Sequence, residues 1–264
     1  MTGDGLRMKS GHIHTSKGEI FYRKVAGSGA CTFLFIHGAG GDSRLYHRQL
    51  DFLKGRHGAV AVDLPGHGRS PIGGSPSLDL YRDTLLEVMD ELDIRRCIPV
   101  GHSMGGGIAF ELYKSIPERI AGMVFVATGA VLPVSPLVFD LLEKDYDGLC
   151  ELAVKLSYGR GVDEKTRQMA LQQMHETGKE VVEADFRICD RFDYTGDCQD
   201  VKVPVLIIAN SEDKMVPLEV SETLKKCPMA KMEVLYARGH MPHLESHEEV
   251  NPLLADFHES LEGC

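Results

Sequence analysis

The stretch "VGHSMGGGIAFELY", residues 100–113, decides the fold. An apolar run, "RCIPVGHS" at 96–103, leads into it as a predicted strand, and a helix is predicted to follow. Between them Gly101-His102-Ser103-Met104-Gly105 spells G-x-S-x-G, which has mechanical meaning only in that strand-to-helix context. So tight a turn strains its backbone and needs small neighbours, a demand Gly101 and Gly105 meet. It lifts Ser103 Oγ above the sheet as a candidate nucleophile. The Met104 amide, at the N-terminus of the following helix, is a candidate donor to an oxyanion.

Further apolar runs lie on both sides: "CTFLFIHG" (31–38), "GAVAVDLPGHG" (58–68), "IAGMVFVATG" (120–129), "VPVLIIANSED" (203–213) and "KMEVLYARGH" (231–240). Helical patterns separate most of them, such as "LDLYRDTLLEVMDEL" (78–92), where Leu78, Tyr81, Leu85, Val88, Met89 and Leu92 share a face. Alternating strands and helices predict an α/β fold with a mainly parallel sheet covered on both faces. "LRMKSGHIHTSKGEIFYRKVAG" predicts an antiparallel hairpin ahead of it. From about 130 to 200 the strand runs stop and the chain turns helical and charged. The expected organisation is a core of residues 1–129 and 201–264, interrupted by a helical lid at 130–200 that shapes a pocket and excludes water.

A chain of 264 residues fits one large domain or one domain with an insertion. The formal charge of -10 argues against a phosphate-binding surface, so no nucleic-acid partner is expected. The first 20 residues lack the apolar core of a secretory signal, and no apolar run reaches the roughly 18 residues of a membrane helix. The seven cysteines are scattered, odd in number and free of CxxC pairs, which predicts free thiols in a reducing cytoplasm. Cys31 and Cys97, at the heads of apolar runs, are expected as small core residues.

A serine hydroxyl needs a base, and the base needs an orienting acid. On such a sheet both are expected later in the chain, on loops at the carboxyl ends of strands. Asp213 follows one strand run and His240 the next. Glu212 is the rival acid, but Asp213 fits the D-x-x-V-P turn better, and no carboxylate occurs between Ala127 and Asp140. The glycine-rich turn His37-Gly38-Ala39-Gly40-Gly41 is expected to supply a second oxyanion donor, the Ala39 amide, with Gly40 in reserve. His37 is expected to brace that loop. Asp63 and His67 of "DLPGHGRS" are expected to knit loops together.

"ARGHMPHLESHEE" (237–249) holds three histidines. His240 is the candidate base, and His243 lies on a turn where it lines the pocket or bonds a neighbouring loop. His247 is expected to face solvent at the first position of the last helix, behind a Ser246-x-x-Glu249 capping box. The spacing departs from H-E-x-x-H, so no metal site is expected.

Together "HGAGG", "DLPGHGRS", "GHSMGG", "SEDKMVP" and "GHMPHLESHEEVN" resemble the α/β-hydrolase superfamily in order and spacing, over nearly the whole chain. The resemblance implies the α/β-hydrolase fold: an eight-stranded, mainly parallel sheet with helices on both faces and a helical cap insertion. By position it implies Ser103 as nucleophile, His240 as base, Asp213 as orienter, and the Ala39 and Met104 amides for the oxyanion. No cofactor is implied. Haloalkane dehalogenases and epoxide hydrolases, with an aspartate at the elbow, are excluded by Ser103. Met241 stands where C–C hydrolases for meta-cleavage products usually carry an aromatic residue. With apolar cap positions such as Leu132, Leu137, Phe139, Leu141 and Leu142, the expected activity is a carboxylesterase acting on a small to medium ester. Gly40, His102, Leu132, Val216 and Met241 are the expected pocket residues, in a cytoplasmic monomer or homodimer. The alternatives are a C–C bond hydrolase and a non-enzymatic ligand receptor on the same fold.

Overall fold

β-branched and aromatic side chains dominate the apolar runs, and each run contributes a strand to one sheet. The computed structural model describes residues 7–159, 161–236 and 239–264. Leu6 of the expected hairpin and residues 237–238 of the last run lie outside them. The strands are Lys9–Thr15 (β1), Gly18–Val25 (β2), Ser28–Ile36 (β3), His57–Val62 (β4), Arg96–His102 (β5), Met123–Val126 (β6), Val205–Asn210 (β7) and Ala230–Leu235 (β8). Their order is β1-β2-β4-β3-β5-β6-β7-β8. β2 pairs antiparallel with β1 and with β4, and every later pairing is parallel.

The helices are His47–Leu53 (α1), Leu78–Glu91 (α2), Met104–Ser115 (α3), Pro136–Lys144 (α4), Tyr146–Ser157 (α5), Glu164–Thr177 (α6), Lys179–Arg191 (α7), Leu218–Glu222 (α8), Pro242–Glu245 (α9) and His247–Ser260 (α10). Strand alternation divides the apolar residues between two cores. Leu34, Ile36, Val60 and Val62 pack with Tyr81, Leu85 and Ile108 of α2 and α3. Phe33, Phe35, Ala59 and Ala61 pack on the other face with Leu50 of α1 and Leu254 of α10. Both faces of the central strands are therefore dry, as a parallel sheet requires. β8, at the edge, alternates exposed Lys231 and Glu233 with partly buried Met232 and Val234.

Among the described residues, helices α4 to α7 lie between β6 and β7. Side chains cap three of them: Ser135 on Leu137, Asp145 on Gly148 and Asp163 on Thr166. Gly178, at φ +85°, turns the chain from α6 into α7 in a conformation that favours glycine. Among the described residues, no helix is long and apolar enough to cross a membrane.

The expectation of seven free thiols is corrected. Cys31 and Cys264 form a disulfide, with Cα atoms 4.9 Å apart. The chain end runs beside β3, where Ala30 N donates to Cys264 O, so residues 233 positions apart meet. Cys97, Cys150, Cys189, Cys198 and Cys227 are free and buried. Burial pushes the Cys97 thiol up to about 12.

Candidate active site

Ser103 sits at the end of β5 with φ 52° and ψ −121°, a left-handed conformation that costs a non-glycine residue on the order of 1–3 kcal/mol. The neighbours leave no room for side chains. A methyl group on Gly101 would lie 2.3 Å from Gly105 O, and one on Gly105 would lie 2.3 Å from Ile36 O. Hydrogen bonds hold the strained residue from both ends: Ser103 N donates to Val126 O at 3.1 Å, and Thr128 Oγ1 donates to Ser103 O at 2.8 Å.

Asp213 and His240 come together on the loops that follow β7 and β8. His240 Nδ1 lies 2.8 Å from Asp213 Oδ2. The other oxygen, Oδ1, accepts the Met215 and Val216 amides at 2.8 and 2.9 Å, which fixes the carboxylate plane. An ionised carboxylate only accepts, so Nδ1 carries the proton and Nε2 is the atom left to act as base. The rival, Glu212, is exposed. Two further bonds seat His240: its amide donates to Ser157 O at 2.7 Å, and His102 Nε2 donates to its carbonyl at 2.9 Å. Among the described residues no hydrogen bond joins Ser103 Oγ to His240. Such bonds are often long without substrate.

Ser103 and His240 line one cavity of about 80 Å³. The turn Gly38–Gly41 forms its other wall, and Val154, Ala170, Met174 and Phe186 close it from α5, α6 and α7. The Ala39 and Met104 amides donate to no protein group among the described residues. Gly40 does not serve as the reserve donor expected from sequence, because its amide is held by Asp185 Oδ2 at 3.0 Å.

The expected pocket residues divide. Gly40, His102 and Met241 line the cavity. Leu132 and Val216 do not; both side chains pack into the core beside α2 and α3. The Val216 amide is tied to Asp213, while the neighbouring Met215 reaches the cavity. Leu132 follows the bridge of Val131 to Asp193, which draws this segment into the core. Leu137 is exposed, and Leu142 joins Leu149, Val182 and Phe186 in a separate cluster within α4 to α7.

His37, His243 and His247 take up positions around the site. His37 Nδ1 donates to Gly38 O and Nε2 accepts the Leu64 amide, bracing the glycine turn as expected. Burial and nearby His67 push its pKa down to about 4, so it is neutral. Asp63 accepts the Ser43 and Arg69 amides, tying two loops. His243 is buried, stacked on Tyr46 and edge-on to His102, with neither ring nitrogen hydrogen-bonded. His247 is half-buried rather than solvent-facing, with Nδ1 3.3 Å from Leu244 O. Ser246 occupies the N-cap before it, but its side chain makes no capping bond.

The model of the alpha/beta hydrolase family matches residues 33–253. The chain belongs to that family. Its eight-stranded, mostly parallel sheet with flanking helices is the alpha/beta hydrolase fold. Among relatives, it is 26% identical over 256 residues to a dihydrolipoyllysine-residue acetyltransferase component of an acetoin cleaving system from Pseudomonas putida. That match covers 89% of this chain and 65% of the relative, so the chain spans less than two thirds of that protein. It is 29% identical to a 2-hydroxy-6-oxononadienedioate/2-hydroxy-6-oxononatrienedioate hydrolase of Paraburkholderia phymatum, over 88% of each chain. A solved thermophilic esterase superposes with a TM-score of 0.84 at 28% identity, covering 95% of this chain and 97% of the other.

In this alpha/beta hydrolase, sequence reasoning missed Asp185, which is fully buried and bonded to Gly40, His67 and Tyr81. The signal was present. The buried face of α7 reads Val181, Val182, Asp185, Phe186, Ile188 and Cys189, an apolar stripe with one acid in it. A charge on such a stripe requires a partner.

Proposed function

We propose that the chain is a serine esterase that cleaves small carboxylic esters through an acyl-enzyme. The observation that carries this reading is the 2.8 Å contact of His240 Nδ1 with Asp213, behind a cavity that His240 shares with the strained Ser103. Ser103 Oγ attacks the ester carbonyl carbon while its proton passes to His240 Nε2. The carbonyl oxygen becomes an oxyanion that takes hydrogen bonds from the Ala39 and Met104 amides. The C–O bond then breaks, and the alcohol leaves with the proton from His240. Water, deprotonated by His240, attacks the acyl-enzyme, releasing the carboxylic acid and restoring Ser103. Asp213 keeps the ring in the required tautomer throughout.

Helices α4 to α7 act here as a cap over residues 130–200. Their contribution to a cavity of about 80 Å³, well below the roughly 300 Å³ at which pockets for drug-sized ligands begin, favours a short acyl group. The 28% identical esterase supports ester chemistry. The proposed location, the cytoplasm, rests on the five free cysteines alone, because a bond such as Cys31–Cys264 is typical of oxidising compartments.

C–C bond hydrolysis is the second reading, favoured by the 29% identical relative of that name and disfavoured by Met241 beside His240. A panel of p-nitrophenyl esters from acetate to octanoate, assayed beside a vinylogous diketone, separates the two. Highest kcat/KM on acetate or propionate, falling beyond butyrate, is the expected result. Turnover of the diketone without ester turnover is the result that removes the esterase reading.

A further inference from the structure

Three backbone polar groups flanking Ala39 have partners. Gly38 O accepts His37 Nδ1 at 2.9 Å and Gly41 N at 3.1 Å. Gly40 N donates to Asp185 Oδ2 at 3.0 Å, and Gly40 O accepts Thr177 Oγ1 at 3.3 Å. The Ala39 amide is left undonated beside the cavity. Two of these holders, Thr177 at the end of α6 and Asp185 in α7, come from outside the sheet-bearing part of the chain.

Asp185 is the stronger of the two. Its Oδ2 also faces His67 Nε2 at 2.8 Å, and its Oδ1 accepts Tyr81 Oη at 2.8 Å. His67 Nδ1 lies 3.2 Å from Pro65 O, so both ring nitrogens face acceptors and both carry protons. A cationic ring and a carboxylate, each fully buried, thus neutralise one another under the glycine turn. A fixed charge held this way cannot drift, and an amide bonded to it is held at charge-assisted strength. Gly40 itself, at φ +64°, lies against Met174 and Val182, so the turn is gripped by α6 and α7 on its apolar side as well.

We infer that Asp185 is a positioning residue for the oxyanion site: by fixing the Gly40 amide it sets the orientation of the preceding Ala39 N–H, so the donor is in register only when α7 is seated. The inference rests on the esterase reading and on Ala39 as a donor. It makes the cap helices part of the machinery for transition-state stabilisation, beyond their role as a wall of the cavity.

The test is Asp185→Asn, which keeps the side chain's shape and removes its charge. Losing an oxyanion donor outright costs about 10²–10³-fold in kcat. Misplacing one is expected to lower kcat on p-nitrophenyl acetate by about 10- to 100-fold with KM nearly unchanged. A trifluoromethyl ketone, whose hemiketal oxyanion occupies the same place, should weaken by a similar factor. The matching methyl ketone, bound without an oxyanion, should bind as before. A folded Asp185→Asn enzyme with wild-type kcat overturns the inference, as does an equal loss in kcat and in methyl ketone affinity. Should Asp185→Asn fail to fold, Asp185→Glu keeps the charge but displaces the acceptor of the Gly40 amide by one methylene. It should lower kcat at constant KM, and wild-type kcat there overturns the inference. Ser103→Ala assayed in parallel separates the two failures: if it retains full turnover, the esterase reading itself is wrong.

Discussion

His240 Nδ1 and Asp213 Oδ2 meet at 2.8 Å across loops that leave adjacent parallel strands, β7 and β8. Asp213 has two tasks there, since its second oxygen ties the Met215 and Val216 amides. Asp213→Asn can keep those two bonds through its carbonyl oxygen while presenting NH₂ to the ring. His240 is then driven to the wrong tautomer, with its proton on Nε2. The expected result is a fall in kcat of about 10⁴-fold, the loss known for the equivalent change in a serine protease, with thermal stability close to wild type. A kcat within tenfold of wild type contradicts the orienting role.

Gly105→Ala sets two effects against each other. Alanine favours the first turn of α3 by up to about 1 kcal/mol over glycine. The added methyl, however, would lie 2.3 Å from Ile36 O, a backbone atom of β3 that cannot swing away. Overpacking of that kind costs about 1–3 kcal/mol, so the collision outweighs the propensity. The variant should lose stability in urea denaturation and lose esterase activity by a larger factor, because the displaced element carries Ser103. A stabilised, active Gly105→Ala enzyme contradicts the tight elbow.

The strands were legible because each is a short apolar run bounded by turn residues, and those signals are local. Asp213 and His240, which the structure pairs, could be singled out because position relative to a strand end is also local. The cavity lining was legible only in part: Gly40, His102 and Met241 line it as expected. Leu132 and Val216 are apolar and close in sequence to the site, yet they face the core, while Ala170, Met174 and Phe186 reach the cavity from helices whose docking no local pattern encodes. The Cys31–Cys264 pair was beyond reach for the same reason, its members being 233 positions apart. Asp185 differs, since an acid on an apolar helical stripe is a local signal that went unused.

Thiol titration in denaturant checks the disulfide. Five groups should react in the unreduced protein and seven after reduction. Cys264→Ser should lower stability by about 2–4 kcal/mol, because the bond closes nearly the whole chain into one loop. Seven reactive thiols without reductant contradict the bond.

His243 gives a prediction for acid. Burial, with nearby His240, pushes its pKa down to about 3, against about 6.5 in the unfolded chain. Because the folded value is the lower one, its contribution is full above pH 6.5 and shrinks as pH falls towards 3. At pH 5 the loss amounts to about 2 kcal/mol. His243→Phe keeps the stack on Tyr46 and removes both unbonded ring nitrogens. Between pH 8 and pH 5 wild type should therefore lose more stability than His243→Phe does. Parallel pH profiles for the two proteins contradict a buried, neutral His243.

The most direct test of the esterase reading is to trap its covalent intermediate. Wild-type enzyme mixed with p-nitrophenyl acetate and quenched in acid within the first turnovers should carry one acetyl group, mapped by peptide mass to Ser103. Ser103→Ala, folded by circular dichroism, should carry none and should not turn the ester over. An acetyl group found on another residue, or wild-type turnover by Ser103→Ala, contradicts the acyl-enzyme mechanism.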